Sequence, residues 1–302
     1  RKAEAAPSGG PSDALSAAAD LGIPIEIVDI SQDYLTLLHH PRYGYGKNVN
    51  PCIDCRIHMF IQARRKMEEL GAQFIFTGEV LGQRPMSQRM DQLNLIAHQS
   101  GVEDILLRPL SALCLPPTRP EREGWVDRKR LFNFQGRTRK PQMALAVKLG
   151  LNTYPAPAGG CCFLTDPSYS RKVRDLWQHR SKDEMTWNDY ILLKVGRHLR
   201  ARPDLKIIVG RNEGENYFLN QFRGARPMLE ALGIPSPLVL IDESLSLGDE
   251  SKLLTAARIT ARYSDAKLSA ETVHVRIVRE GNEKIVEVQP YQPEEVSPWV
   301  IT

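Results

Sequence analysis

The chain lacks any long hydrophobic run. Apolar stretches such as Leu238–Ile241 and Phe74–Phe76 fall far short of the ~20 residues that a membrane-spanning helix requires, so no membrane partner is expected. Cysteine is scarce and odd in number, five in 302 residues, which excludes a disulfide scaffold and points to a reducing compartment and a cytoplasmic location. A dominant charge is missing too: 40 Lys and Arg against 36 Asp and Glu leave +4, too mild a balance to name a partner. The opening Arg1–Gly10 does not begin with Met and has none of the apolar core of a signal peptide, which leads to the expectation of a fragment. What is present, 42% hydrophobic and 25% charged residues, is enough to bury sizeable cores, in two domains.

Against this plain background one stretch stands out. The loop Gly44-Tyr45-Gly46-Lys47-Asn48-Val49-Asn50-Pro51 delivers Cys52 and Cys55 to the start of an amphipathic helix. Unpaired backbone N–H groups at a helix start favour thiolate over thiol, so a Cys-x-x-Cys pair there can hold a metal, a cluster or a disulfide. A second glycine-rich loop, Gly159-Gly160-Cys161-Cys162, supplies further thiols. Three converging thiolates are one short of a closed four-cysteine site and leave a coordination position open for chemistry. An ordinary thiol pair or half of a structural zinc site is the plainer alternative.

Along the chain, spacing predicts a helix over 13–21, a buried strand over Ile23–Ile30, a helix over 32–39 and another over 57–70. A strand at Phe74–Phe76 then runs into Thr77-Gly78-Glu79, followed by a helix over 88–99 and a strand at Ile105–Leu107. Strands of continuous apolar character alternating with helices predict an α/β fold, a parallel sheet with helices on both faces and functional loops at the strand C-termini. Residues 111–136 read as a proline-rich connector and 141–149 as a helix. From about residue 166 the texture changes to helices over 169–179 and 186–193, strands at 206–210 and 238–241, a helix over 215–221, and a hairpin joining 273–278 to 284–288. A smaller α+β domain is therefore expected over 169–302, following a domain over 1–168.

The order of Leu21-Gly22-Ile23-Pro24-Ile25-Glu26-Ile27-Val28-Asp29, Asn50-Pro51-Cys52-Ile53-Asp54-Cys55, Phe76-Thr77-Gly78 and Gly160-Cys161-Cys162-Phe163 resembles the PP-loop ATP pyrophosphatases that thiolate tRNA, the 2-thiouridylase and 4-thiouridine synthase group. The resemblance covers about residues 13–168 and implies an adenine nucleotide alpha hydrolase-like sheet. It implies that Cys55 and either Cys161 or Cys162 are the functional pair. With Cys52 added, the set is similar to three-cysteine members that hold a [4Fe-4S] cluster with one iron free to carry sulfur. A uridine oxygen leaves poorly, so such enzymes adenylate the carbonyl with ATP and Mg before sulfur attacks the carbon. The implied partners are tRNA and a sulfur donor protein or sulfide, with a homodimer as a further expectation. Thr77 and Gly78 match the nucleotide-pocket stretch, and Arg84 and Arg137 are candidates for ATP phosphates. The family's Ser-Gly-Gly-x-Asp-Ser phosphate cradle has no good counterpart, because Ser8-Gly9-Gly10-Pro11-Ser12-Asp13 follows no strand and places its aspartate one position late. That element is expected to be truncated or supplied by another polypeptide. A non-catalytic RNA-binding or sulfur-carrier module is the second expectation.

Ten basic residues between Arg108 and Lys148 face Glu121, Glu123 and Asp127. Arg128, Lys129, Arg130, Arg139 and Lys140 are the densest of them and are candidates for an RNA backbone, although a solvated charged face fits as well. Lys194–Arg200 and Ile208–Asn216 resemble the small RNA-binding domain of some ribosome-quality-control proteins, which implies RNA roles for Arg197 and Arg211, with His198 beside them.

Overall fold

The computed structural model describes residues 11–151, 162–224, 226–242, 248–268 and 272–302. The chain divides into two units, Arg1–Thr165 and Asp166–Thr302.

In the first unit, α1 (Pro11–Leu21) and α2 (Ser31–His39) precede α3 (Cys52–Glu69), which begins on the first cysteine itself. Helix α3 is followed by β1 (Ile75–Phe76), α4 (Met90–Ser100), β2 (Leu106–Leu107), α5 (Arg119–Arg122) and α6 (Lys140–Lys148). Apolar residues of α3 at helical spacing, Ile53, Ile57 and Phe60, pack with Ile96 and Ala97 of α4 and with Val102 and Leu106. Helix α4 stops where Gly101 enters the left-handed region at φ 65° and returns its N–H to the last turn, a conformation glycine adopts without a Cβ clash. Strands β1 and β2 pair in parallel, Ile75 with Leu106 and Phe76 with Leu107.

The expected strand over Ile23–Ile30 is not formed. Those residues are irregular and face solvent, with Ile27 74% exposed. An apolar run becomes a buried strand only where neighbouring strands satisfy its backbone, and among the described residues the run has no ladder partner. The parallel sheet described in this unit therefore has two strands.

The second unit opens with α7 (Pro167–His179) and α8 (Trp187–Leu192), continues through β3 (Arg197–Arg202), β4 (Leu205–Val209), α9 (Glu213–Asn220), β5 (Met228–Ala231), β6 (Val239–Ile241) and α10 (Glu250–Tyr263), and ends with β7 (Val273–Arg279), β8 (Asn282–Val288) and α11 (Pro293–Val296). The six strands form one antiparallel sheet in the order β3-β4-β6-β5-β7-β8. Leu253, Ala256, Ala257 and Ala261 of α10 enter a core with Ile207, Leu229, Ile241 and Ile277. Leu192 of α8 and Leu219 of α9 pack instead with Ile208, Met228 and Leu240. The alternation of partners along β4, Ile207 to one core and Ile208 to the other, is the period-two signature of a sheet covered on both faces. The β7–β8 hairpin turns through Glu280 and Gly281, both with positive φ, as a two-residue turn between twisted strands demands. Residues 300 and 301 return to β3, where Leu199 bridges Val300 and Ile301 N–H donates to the His198 carbonyl at 2.9 Å.

Among the described residues no helix is long and apolar enough to cross a membrane.

Candidate functional site

The cysteine loop is held from both ends. Asp54, between the two cysteines in the first turn of α3, accepts hydrogen bonds from the backbone of Arg42 at 2.9 Å and Tyr43 at 3.0 Å. Tyr45 donates its hydroxyl to the Leu38 carbonyl at 2.7 Å, and burial pushes its phenol up to about 12. Gly46 N–H donates to Asn50 O at 2.8 Å, closing the turn that presents Cys52. Cys52 is buried and Cys55 half-buried, with Cys55 Sγ 4.0 Å from Met59 Sδ.

The later cysteine stretch lies against this loop. Asn48 Nδ2 donates to Thr165 O at 2.8 Å, and Val49 N donates to Leu164 O at 3.4 Å. Asn48 does so from the left-handed region, φ 61°, which asparagine tolerates better than other side-chain-bearing residues. Cys162 is exposed at the start of that turn, and its carbonyl accepts the Thr165 hydroxyl at 2.8 Å. The structure thus brings the Cys52–Cys55 loop and the Cys162 turn together. Cys161, Gly159 and Gly160 lie outside the described residues, as do Ser8, Gly9 and Gly10.

The start of α3 is also tied to the C-terminal ends of both parallel strands. Glu79, just past β1 and 3% exposed, accepts Arg108 Nε at 3.0 Å and lies 3.8 Å from Arg56 Nη1. Arg56 adjoins Cys55 in sequence, so one buried carboxylate links the cysteine helix to both strand ends. Buried charges persist when paired in this way. Ser87 Oγ and Gln88 Oε1 are buried without a hydrogen-bond partner among the described residues.

The expected nucleotide residues are less concentrated. Thr77 N–H is committed to Leu107 O at 3.0 Å, and Gly78 is exposed with open space where a Cβ would be. Half-buried Arg84 and exposed Arg137 sit on loops that run side by side, joined by a Leu81–Gln135 bridge and by Gly136 N–H donating to Leu81 O at 2.7 Å. A hollow of about 410 Å³ in this unit is lined by Asn94, Leu107, Arg108, Thr118 and Glu121 among others, and by none of those four.

An iron-sulfur cluster would draw on soft thiolates, which Cys52, Cys55 and Cys162 could supply. However, no three His, Cys, Asp or Glu side chains converge in metal-binding geometry among the described residues. Cys161, the other candidate for a third thiolate, lies outside the described residues.

Of the basic candidates in the first unit, Arg128 is half-buried and engaged within the fold. Its guanidinium pairs with buried Glu121 and donates to Leu115 O at 2.9 Å. Lys129, Arg130 and Lys140 are exposed, and Arg139 is half-buried just ahead of α6.

In the second unit Arg197 and Arg211 line one groove of about 520 Å³ together with Asn212, Arg262, Tyr263 and Asp265. Arg211 is engaged by Glu215, whose carboxylate accepts its backbone N–H at 2.8 Å and its Nε at 3.0 Å. Arg197 lies over the Tyr263 ring, 4.8 Å from its centroid. His198 is turned away from the groove. It is 1% exposed, Nε2 bonds Val195 O at 2.9 Å, and burial, with Lys206 and Lys172 nearby, drives its pKa well below the usual range. Lys172, bonded to Leu193 O at 3.1 Å, is lowered to about 8, first by burial and then by Arg211 and Lys206. Sequence reasoning gave no signal for Arg262 and Tyr263, because more than sixty positions of chain separate them from Arg197.

Residues 196–300 match the NFACT protein RNA binding domain family. A stretch of 70 residues is 37% identical to the tRNA-specific 2-thiouridylase MnmA of Syntrophotalea carbinolica, covering 22% of this chain and 20% of that protein. The chain therefore spans about a fifth of the length of this curated relative. The C-terminal part of the fibronectin/fibrinogen-binding protein from Streptococcus suis aligns over 90% of this chain and 100% of its own, with a TM-score of 0.32 and 14% identity.

Proposed function

We propose that this chain works in tRNA thiolation, the second unit binding RNA and the first presenting cysteine sulfur to an activated uridine carbonyl. The observation that carries the reading is the junction of the two cysteine stretches through Asn48–Thr165 and Val49–Leu164. The partial thiouridylase similarity and the RNA-binding family match support it. On this reading the first unit is part of a parallel α/β nucleotide-hydrolase sheet, of which β1 and β2 are two strands.

The thiols can perform the transfer as a pair. A persulfide on one cysteine, loaded by a donor, attacks the carbon that bears the adenylate, and the carbon–oxygen bond breaks with AMP as leaving group. A second cysteine thiolate then attacks the carrier sulfur, releases the thiocarbonyl and leaves a disulfide that an external thiol reduces. Half-buried Cys55 and exposed Cys162 give the pair a more protected and a more accessible partner. The test is to incubate the protein with tRNA, ATP, Mg and a persulfide donor and to analyse the digested tRNA for thionucleosides. Thionucleoside lost with Cys55→Ser supports the reading, and none from the parent protein overturns it.

A sulfur-carrier or RNA-binding module acting with a partner enzyme is the second reading, favoured by the RNA-binding family match over residues 196–300. Equilibrium ATP binding separates the two, since the carrier reading requires none.

A further inference from the structure

We propose that the groove of the second unit takes one unpaired ribonucleotide, with Arg197 and Arg262 as the cations that hold its phosphate and with the Arg197 guanidinium as the platform for its base. The inference rests on the RNA-binding reading above and specifies its site and the form of RNA it takes.

The groove is built by constraints that leave its walls little freedom. Gly196 has φ +76°, and a Cβ there would lie 2.6 Å from Ile208 Cγ2 and 2.9 Å from Val209 O, so only glycine lets Arg197 descend onto β4. A side chain at Gly210 would collide with Asn216. Asn216 Oδ1 accepts Leu238 N–H at 3.1 Å, Gly210 N–H donates to Leu238 O at 3.0 Å, and Asp265 N–H donates to Pro235 O at 3.0 Å. The Pro235–Pro237 wall is thereby fastened to the β4–α9 loop and to the end of α10. A site held open before its ligand arrives loses less entropy on binding.

The lining distinguishes ligands. Arg211 is engaged by Glu215, whereas neither Arg197 nor Arg262 is paired with a carboxylate among the described residues. Tyr263 supports one face of the Arg197 guanidinium, leaving its N–H edges for a phosphate and its other face for a base, in the manner of guanidinium–base stacking in single-stranded RNA recognition. Asn212, Glu213 and Asp265 share the lining. Carboxylates repel a bare phosphate ridge but accept hydrogen bonds from a base N–H, such as the imino N–H of uracil, which pairing consumes in a duplex and an unpaired nucleotide presents together with its phosphate. The volume of about 520 Å³ falls within the roughly 300–1,000 Å³ range of small-ligand sites, whereas a duplex has no protruding base to fill it.

Fluorescence anisotropy of the full chain with labelled hexauridylate, and with a short RNA duplex, tests the assignment. Hexauridylate is expected to bind more tightly. Arg197→Gln and Arg262→Gln are each expected to weaken it about tenfold and to lower the salt slope by about one, with duplex binding and far-UV circular dichroism unchanged. Binding of hexauridylate that both variants leave intact, or duplex binding as tight as single-strand binding, overturns the groove assignment while RNA binding stands. No affinity for either RNA overturns the RNA-binding reading itself.

Discussion

Asn48 Nδ2 reaches the Thr165 carbonyl across 2.8 Å, and this bond joins stretches of chain more than a hundred residues apart, each carrying thiols. The bond begins from a backbone with φ 61°, so a single side chain meets both a conformational and a bonding requirement. Asn48→Ala is expected to destabilise the first unit by about 2 kcal/mol, from left-handed strain and the lost bond together. Asn48→Gly, which relieves the strain, should cost about 1 kcal/mol. Urea unfolding of the two variants measures the difference, and equal losses would show that strain plays no part.

Thiol burial sets an order of reactivity. Iodoacetamide in limiting amount should alkylate exposed Cys162 first, half-buried Cys55 next and buried Cys52 last, as peptide mass spectrometry can read. Anaerobic reconstitution with iron and sulfide supplies the contrary outcome. About four irons per chain, lost on Cys52→Ser and Cys55→Ser, would replace the persulfide scheme with a cluster.

A buried ionic knot in the second unit predicts a large loss from a small change. Lys206 and Asp242 are both fully buried, with Lys206 Nζ 3.1 Å from Asp242 Oδ2. Arg226 pairs with the same carboxylate, and Arg180 lies 3.7 Å from it and donates to the Asp242 backbone carbonyl at 2.7 Å. Arg180 and Arg226 also pair with Asp189, each at 2.6 Å, so Asp242→Asn takes the anion chiefly from buried Lys206 and should destabilise the unit by about 3–5 kcal/mol, seen as a lower urea midpoint at constant m-value.

Two groups give the second unit an acid and an alkaline limb of the same sign, stability rising with pH in each. His198 stays neutral when folded but protonates near 6.5 when unfolded, so stability should fall as pH drops below 6.5, approaching about 1.4 kcal/mol per pH unit. His198→Gln should flatten that limb. Lys172, lowered to about 8, binds its proton more readily in the unfolded chain, so stability should rise between about pH 8 and 10.5, a gain that Lys172→Met removes. Hydrogen exchange of β4 amides at a series of pH values tests both limbs.

Some of this architecture was legible from local pattern. The helical spacing over 57–70 and the β7–β8 hairpin follow from periods that one segment displays by itself, whereas the earlier start of α3, on Cys52, lies outside the predicted range. Ile23–Ile30 misled because an apolar run signals a strand only if partners exist to receive its backbone. Helix α10 was obscured by burial of Leu253, Thr255, Ala256, Ala257, Ile259, Thr260 and Ala261, which weakens the polar half of the helical pattern. At the candidate site the cysteines announced themselves by type and spacing. The capture of Arg128 by Glu121 and the stacking of Arg197 on Tyr263 depend on tertiary neighbours, which no spacing reveals.

The return of Val300 and Ile301 to β3 orders events during synthesis. Strand β3 is made early in the second unit, yet one of its borders is completed by residues about a hundred positions later. While Ile301 is still within the ribosome, His198 O lacks its donor and the sheet has an unfinished edge. This long-range closure makes the unit's final folding step follow the translation of residue 301 instead of accompanying its growth.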